Sequence, residues 1–425
     1  MSARPVVVCA ALLALSAGGC AASVCTRVRE EHDAYVRRPA QPGPHLALAV
    51  PYATLSQALQ RGFGGGRPVQ VPLPDLGPVD LGSLAVSLRG VAFHEAPAGS
   101  LGARVSVALA SGGRPVTALD LDVVVTPQLD PRAGSVRVRL RPQDLAQVRP
   151  SLAPAERKRF AEFVLGLVPA SARALVGREQ IEQLADGFLR ELVGGRWPQI
   201  RDHLFQGTDE LVDFEIDLPE LPLTGLELRS GAADLELWAH TSLPAASLSP
   251  GPARPAGSDA RLVALRLSGG AAAALANRAM AQGQIPARYD REGEPNPNGE
   301  FVAGVDWRAG QRPLKVYAWS LAGTCARLTF GGTPQASGRG GAIEVRVPDG
   351  TLEDVEGSLK ARAAVWFSGL GRQTFAVSET VADATELEIG GATYRARVVT
   401  AESTGADLVF SLALAEAPRG PTRGP

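Results

Sequence analysis

The sequence predicts an α+β fold in which long, twisted antiparallel β-sheets wrap amphipathic helices, arranged as two related β-rich domains. Three observations carry that expectation. Most of the chain alternates apolar and polar residues with the period of two that half-buried strands require. One block, 153–206, has a helical period instead, with Phe160, Phe163, Val164, Leu167 and Val168 on one face and then Ile181, Leu184, Phe188 and Leu192. A strand followed by a short helix occurs twice, as HLALAVPYATLSQALQRGF from residue 45 and RLVALRLSGGAAAALANRAM from residue 261, a faint internal duplication.

At 425 residues the chain exceeds one ordinary core, so two domains are expected. Its 43 basic and 44 acidic residues cancel, which removes the electrostatic case for nucleic acid as a partner. At the start, Arg4 precedes an apolar run from Val6 to Leu15 that is too short to span a bilayer comfortably, so 1–19 reads as an export signal. Ala17, Gly18, Gly19 and Cys20 resemble a bacterial lipobox, which implies cleavage before Cys20 and a lipid on its sulfur and amine. Ordinary cleavage near Ala21 or Ala22, releasing a soluble product, is the alternative. Once Cys20 is acylated, Cys25 and Cys325 remain as a pair that an exported location would permit to oxidise. Residues 26–44 hold three prolines and several charges and suit an extended tether, so 20–44 is the anchor and its leash.

The first domain is expected over 45–242. Leu46, Leu48 and Val50 alternate as a strand, and Leu55, Ala58 and Leu59 follow at helical spacing. Strands come next at Leu84–Phe93, Val105–Leu109, Leu119–Val125 and Val136–Leu140, with Ser111, Gly112 and Gly113 marking a hairpin. They are apolar on one side only, and the helical block, with Glu156, Lys158, Glu162 and Asp186 on its far side, is the expected cover. Val212, Phe214 and Ile216 and then Leu226, Leu228, Leu235 and Leu237 complete this half. The Pro, Ser, Ala and Gly passage 243–258 reads as the interdomain linker. The second domain, 259–416, repeats the strand and helix at 262–281 and then shows only β signals, among them Leu314 to Ala318, Leu359 to Phe367 and Leu408 to Leu414. It has no counterpart of the long helical block, and 417–425 reads as a disordered tail.

No motif for catalysis or nucleotide binding occurs: there is no G-x-S-x-G, P-loop, G-x-G-x-x-G or C-x-x-C. His94 and Glu95 begin a zinc-protease signature, but Ala98 stands where its second histidine belongs. The five histidines show no ligand spacing. Asp213, Glu215 and Asp217 share one strand face and read as a solvated surface before a calcium site, and the oxygens of Glu292 to Glu300 read as a loop. Trp238, Trp307, Trp319 and Trp366 fall on or near strands, where an indole is core or lines a cavity.

In order and pattern, though by no single motif, residues 45–416 resemble the tubular lipid-binding superfamily, which includes the bactericidal permeability-increasing proteins, in its bacterial lipoprotein form. The resemblance implies a lipid-binding or lipid-transfer protein of the cell envelope, tethered to the outer membrane through Cys20 and facing the periplasm, with no enzymatic activity and no cofactor. Acyl chains would lie in an apolar seam between sheet and helix, against Phe160, Phe163, Leu167, Ile181, Leu184 and Phe188. A structural or adaptor lipoprotein without ligand is the alternative, and an exported hydrolase that assembles His94, His203 or His240 with acids is a further one.

Overall fold

A computed structural model describes residues 23–62, 69–72, 83–97, 99–145, 151–167, 212–217, 221–290, 294–308, 310–321, 325–339, 342–358, 375–382, 385–389 and 392–416, with isolated positions at 180, 183, 186–187, 197–198, 202 and 362. The chain is built mostly of antiparallel β-sheet.

Both halves of the sequence contribute to one seven-stranded sheet. From the first half come β1 (Pro44–Pro51), β9 (Leu223–Ser230) and β10 (Asp234–Thr241). From the second come β11 (Val263–Ser268), β19 (Thr385–Ile389), β20 (Ala392–Ser403) and β21 (Asp407–Glu416). Their order is β19-β20-β21-β11-β1-β10-β9, all antiparallel. The two halves of the sequence repeat meet here: β1 pairs with β11, Leu46 opposite Leu267, and each strand runs into a helix, α2 (Tyr52–Gly62) in the first half and a partner at Gly269–Ala281 in the second.

Alternation along β1 divides the surroundings of this central sheet. Leu46, Leu48 and Val50 enter the main core, whereas Ala47 and Ala49 face the other way with Trp238, Leu248, Ala253 and Ala264. Alanine on that side leaves room for residues 243–258 to lie close. The passage 243–258, expected as the interdomain linker, is packed against the fold: Leu243, Ala245, Leu248 and Ala253 are buried. Arg266, 8% exposed, holds it by donating to the Ser249 and Pro252 carbonyls while paired with Asp407, 1% exposed.

The four-stranded sheet of the first half runs β2 (Val69–Pro72), β3 (Ser83–His94), β4 (Leu101–Ser111) and β5 (Arg114–Val125). Gly112 and Gly113, both at positive φ, make the two-residue hairpin that the sequence marks. β6 (Gln128–Asp130), β7 (Ser135–Leu140) and β8 (Val212–Asp217) form a third sheet. It meets the central sheet along both borders, β6 beside β9 and β8 beside β19.

Of the expected helical block, α3 (Pro154–Leu167) is described. Proline suits its first turn because the missing N–H has no partner there, and the Glu156 carboxylate accepts from the Ala118 amide and the Thr117 hydroxyl, tying the helix to β5. Phe160 and Val164, four residues apart, are buried in the main core. Positions 180, 183, 186–187, 197–198 and 202 are helical as well.

Residues 23–36 correct the expectation of an extended tether. They form a helix, α1, whose one apolar face (Val24, Val28 and Tyr35) packs on Tyr317 and Trp319 of the second half. The charges that suggested a tether occupy the rest of the helix and pair with the sheet: Glu31 with Arg327, Arg27 with Glu356, and Arg38, just past the helix, with Asp306 through two hydrogen bonds. Cys25 and Cys325 are joined by a disulfide.

The sheet beneath α1 has the order β12 (Arg288–Tyr289), β13 (Phe301–Trp307), β14 (Leu314–Ser320), β15 (Ala326–Gly332), β17 (Ala342–Gly357), β16 (Gln335–Arg339), with β18 (Phe375–Ala382) also on β17. The second-half helix of the repeat, α4 (Gly269–Ala281), is capped by the Ser268 hydroxyl on the Ala271 amide. Its Asn277 side chain bonds both the N–H and the C=O of Val305, so an amide takes the place of a neighbouring strand along β13. The strand expected over 359–367 lies outside the described residues except for Arg362, which is helical.

Candidate functional site

Register separates the second-half sheet into two unlike faces. One face carries the cross-strand rows Gly304–Tyr317–Thr329–Asp354 and Val302–Trp319–Arg327–Glu356 and is the face that α1 covers. The other carries Val305–Val316–Phe330–Leu352 and Ala303–Ala318–Leu328–Val355, ending in Trp307 and Leu314 at one end and Phe301, Ser320 and Ala326 at the other. No charged residue occupies these rows. At strand spacings the four strands make an apolar surface roughly 20 Å long and 14 Å wide.

The chemistry of the two faces follows from this sorting. Beneath α1 the Tyr35, Tyr317 and Trp319 rings pack with centroids 4.8 to 5.8 Å apart. The Tyr35 hydroxyl donates to the Val305 carbonyl, and burial pushes its pKa up to about 12. Burial also pushes the Asp306 carboxyl up, but the two hydrogen bonds and the charge of Arg38 outweigh that and leave it below the ordinary carboxylate range. The far face is apolar yet only partly covered. Phe301, Val305, Leu314, Val316, Phe330, Leu352 and Val355 all keep some solvent exposure, and Leu328 is 8% exposed. By contrast, on the inner face of the first-half sheet Val86, Phe93, Leu101, Val105, Leu109, Leu121 and Val125 are 0–6% exposed, and Leu88 is partly buried.

Of the residues expected to face lipid, Phe160 is completely buried and its ring centroid lies 6.2 Å from that of Phe163, which is partly buried. Phe160 belongs to the main core, and its helix packs on β5. The Leu167 side chain, Ile181, Leu184 and Phe188 lie outside the described residues, as does Cys20. Two polar atoms within the main core, Trp197 Nε1 and the Tyr394 hydroxyl, are buried with no hydrogen-bond partner.

The polar sites considered from sequence are dispersed. His94 ends β3 with a ring nitrogen 3.5 Å from Asp122, while His240 lies on the central sheet, 3.8 Å from Glu227, and His203 is outside the described residues. The acidic positions of β8 are in register with arginines, Asp213 opposite Arg139 and Glu215 opposite Arg137. Among the described residues no group of three or more His, Cys, Asp or Glu is placed to hold a metal ion, and no helix is long and apolar enough to cross a membrane.

Sequence reasoning named Leu314, Val316 and Ala318 as a strand but did not single out their face. The alternate positions in the same strand, Tyr317 and Trp319, are larger aromatic residues on the face that α1 buries. Trp307, one of the indoles noted as core or cavity lining, stands at the end of the open rows, with Nε1 donating to the Gly405 carbonyl.

These features define a β-rich protein dominated by antiparallel sheets. No protein-family profile matches the chain, and no curated protein matches it. Among solved structures it is similar to P47 from Clostridium botulinum A2, at 7% identity over 87% of this chain and 97% of that one, with a TM-score of 0.41.

Proposed function

We propose that this is a membrane-tethered lipid-binding or lipid-transfer protein of the bacterial envelope, made of two related β-rich domains that share the central sheet and acting without catalysis or cofactor. The observation that carries the reading is the uncharged, partly exposed face of β13, β14, β15 and β17. An acyl chain laid along it removes its methylenes from water, worth about 0.8 kcal/mol each, and leaves no charge of the protein desolvated. The Cys25–Cys325 disulfide supports an oxidising compartment, as export through the N-terminal signal requires. The resemblance to the tubular lipid-binding superfamily favours the same ligand class. The Phe160 cluster, sealed in the described structure, is a lesser candidate for lipid contact.

The test is extraction of the purified full chain with organic solvent followed by mass spectrometry, together with uptake of a fluorescent fatty acid. Bound lipid and saturable uptake are expected. Val316→Asp places a carboxylate in the middle of the open rows and should abolish uptake while leaving the circular dichroism spectrum unchanged. A lipid-free preparation that takes up no fatty acid would sink the proposal and favour an adaptor lipoprotein recognised by protein partners.

A further inference from the structure

The contacts of α1 run in one direction across the second-half sheet. Cys25 is bonded to Cys325 and Arg29 donates to the Leu321 carbonyl, both at the end of the sheet marked by Phe301, Ser320 and Ala326. His32 and Tyr35 then lie on Trp319, in the body of the sheet, and Arg38 reaches Asp306 at the opposite end. That opposite end abuts the central sheet, where Trp307 donates to the Gly405 carbonyl and a Cβ at Gly269 would run into the Trp307 ring. The start of α1 therefore lies at the end of the second-half sheet that points away from the central sheet. The helix cannot slide or reverse, because a covalent bond holds its start and the paired Arg38 and Asp306 hold its finish.

We infer that this outer end of the second-half sheet is the part of the protein held against a lipid bilayer. The inference rests on the reading of Cys20 as the acylated residue. Cys20 is five residues from Cys25, and five residues span at most about 18 Å even when fully extended. A lipid on Cys20 thus has no slack with which to reach the central sheet or the first half. The consequence is an orientation: strands β13 to β15 stand with the Phe301, Ser320 and Ala326 ends toward the membrane, and the open apolar rows begin beside the bilayer from which a chain would be drawn.

The full-length chain, exported and processed in a bacterial host, would carry one fluorophore, at Asn298→Cys in the exposed loop at the outer end or at Gln311→Cys in the exposed loop at the opposite end. Reconstitution into phosphatidylcholine vesicles doped with a headgroup nitroxide should remove most of the fluorescence of the Asn298 label and leave that of the Gln311 label intact. Equal quenching of the two, or the reverse order, overturns the orientation. Incorporation of labelled palmitate, with Cys20→Ala as its control, reads the anchor separately. A chain that takes up no palmitate overturns the anchor and the orientation together, whereas an acylated, vesicle-bound chain whose labels do not differ overturns the orientation alone.

Discussion

The sheets of the two halves are covered in opposite ways. The first-half sheet is sealed on its apolar face by neighbours close in sequence: α2 follows β1 and hooks β3 through the Ser56 hydroxyl, which accepts from the Phe93 amide, and α3 follows β7 and grips β5 through Glu156. The second-half sheet draws its covering helix from nearly 300 residues away, and that helix lands on the charged and aromatic face, leaving the apolar face partly open. Sealing by local elements uses burial together with single hydrogen-bonded hooks. A distant segment carries a loop-closure cost, although one that grows only slowly with length, and the disulfide with the Arg38–Asp306 and Glu31–Arg327 pairs fixes the helix on the sheet.

The largest effect should come from breaking the sealed half. Phe160→Ala removes a fully buried ring, and chemical denaturation should show a loss of about 3–5 kcal/mol. A loss near zero would mean that the interior around α3 is loose and that the contrast between the halves is false. Next, replacing both cysteines, Cys25→Ser with Cys325→Ser, should cost about 2–4 kcal/mol by freeing the unfolded chain. Limited proteolysis should then cut within 23–36 first, with the first half still protected.

Asp306→Asn should cost about 1–3 kcal/mol, since it removes the charge that Arg38 is bonded to in a partly buried place. The pH dependence has a defined sign. The Asp306 carboxyl is held below its ordinary value by Arg38 despite the opposing effect of burial, so it stabilises the fold above the unfolded carboxyl pKa of about 3.9 and that contribution is lost as pH falls through the lower, folded value. The Asn variant should show a shallower loss of stability in that acid range, by denaturant midpoints. Val316→Ala, on the open face, should cost only about 1 kcal/mol, because the side chain is partly in water already. A cost equal to that of Phe160→Ala would show the face to be closed.

The smallest expected effect concerns the seam between the halves. His45, fully buried at the start of β1, bonds the Ala245 carbonyl and Thr241. Burial lowers its imidazole pKa, the Ala245 carbonyl opposes this, and nearby His240 adds to it. A base with a lowered folded pKa contributes fully above the unfolded value of about 6.5, and the contribution declines as pH falls below that value because the unfolded chain takes the proton first. Stability should therefore drop between neutral pH and mildly acid pH, and His45→Gln should flatten that drop.

Much of the local architecture could be read from residues alone. The strands around Leu46, Val105, Leu121, Val136 and Leu412, the hairpin at Gly112 and Gly113, the helix through Phe160 and the repeated strand and helix all depend on residues a few positions apart, whose periodicity is visible in one dimension. The helix at 23–36 was missed because its apolar positions are few, Val24, Val28 and Tyr35, and its charges look like those of a solvated tether until partners far along the chain, such as Arg327 and Glu356, are in place. The same holds for 243–258, whose leucine and alanine side chains are meaningful only beside Ala47 and Ala49.

By itself the sequence determined where most of the β-strands, the hairpin and the helix through Phe160 would form, and that no familiar catalytic motif is present. Tertiary structure alone decided that the two halves share a sheet, that the N-terminal helix crosses the second half, and that one apolar face stays partly open. The reason is physical: periodicity reports which side of an element avoids water, but which element arrives to cover that side is a competition among segments hundreds of residues apart, won by total burial and by pairing that only the folded chain brings within reach.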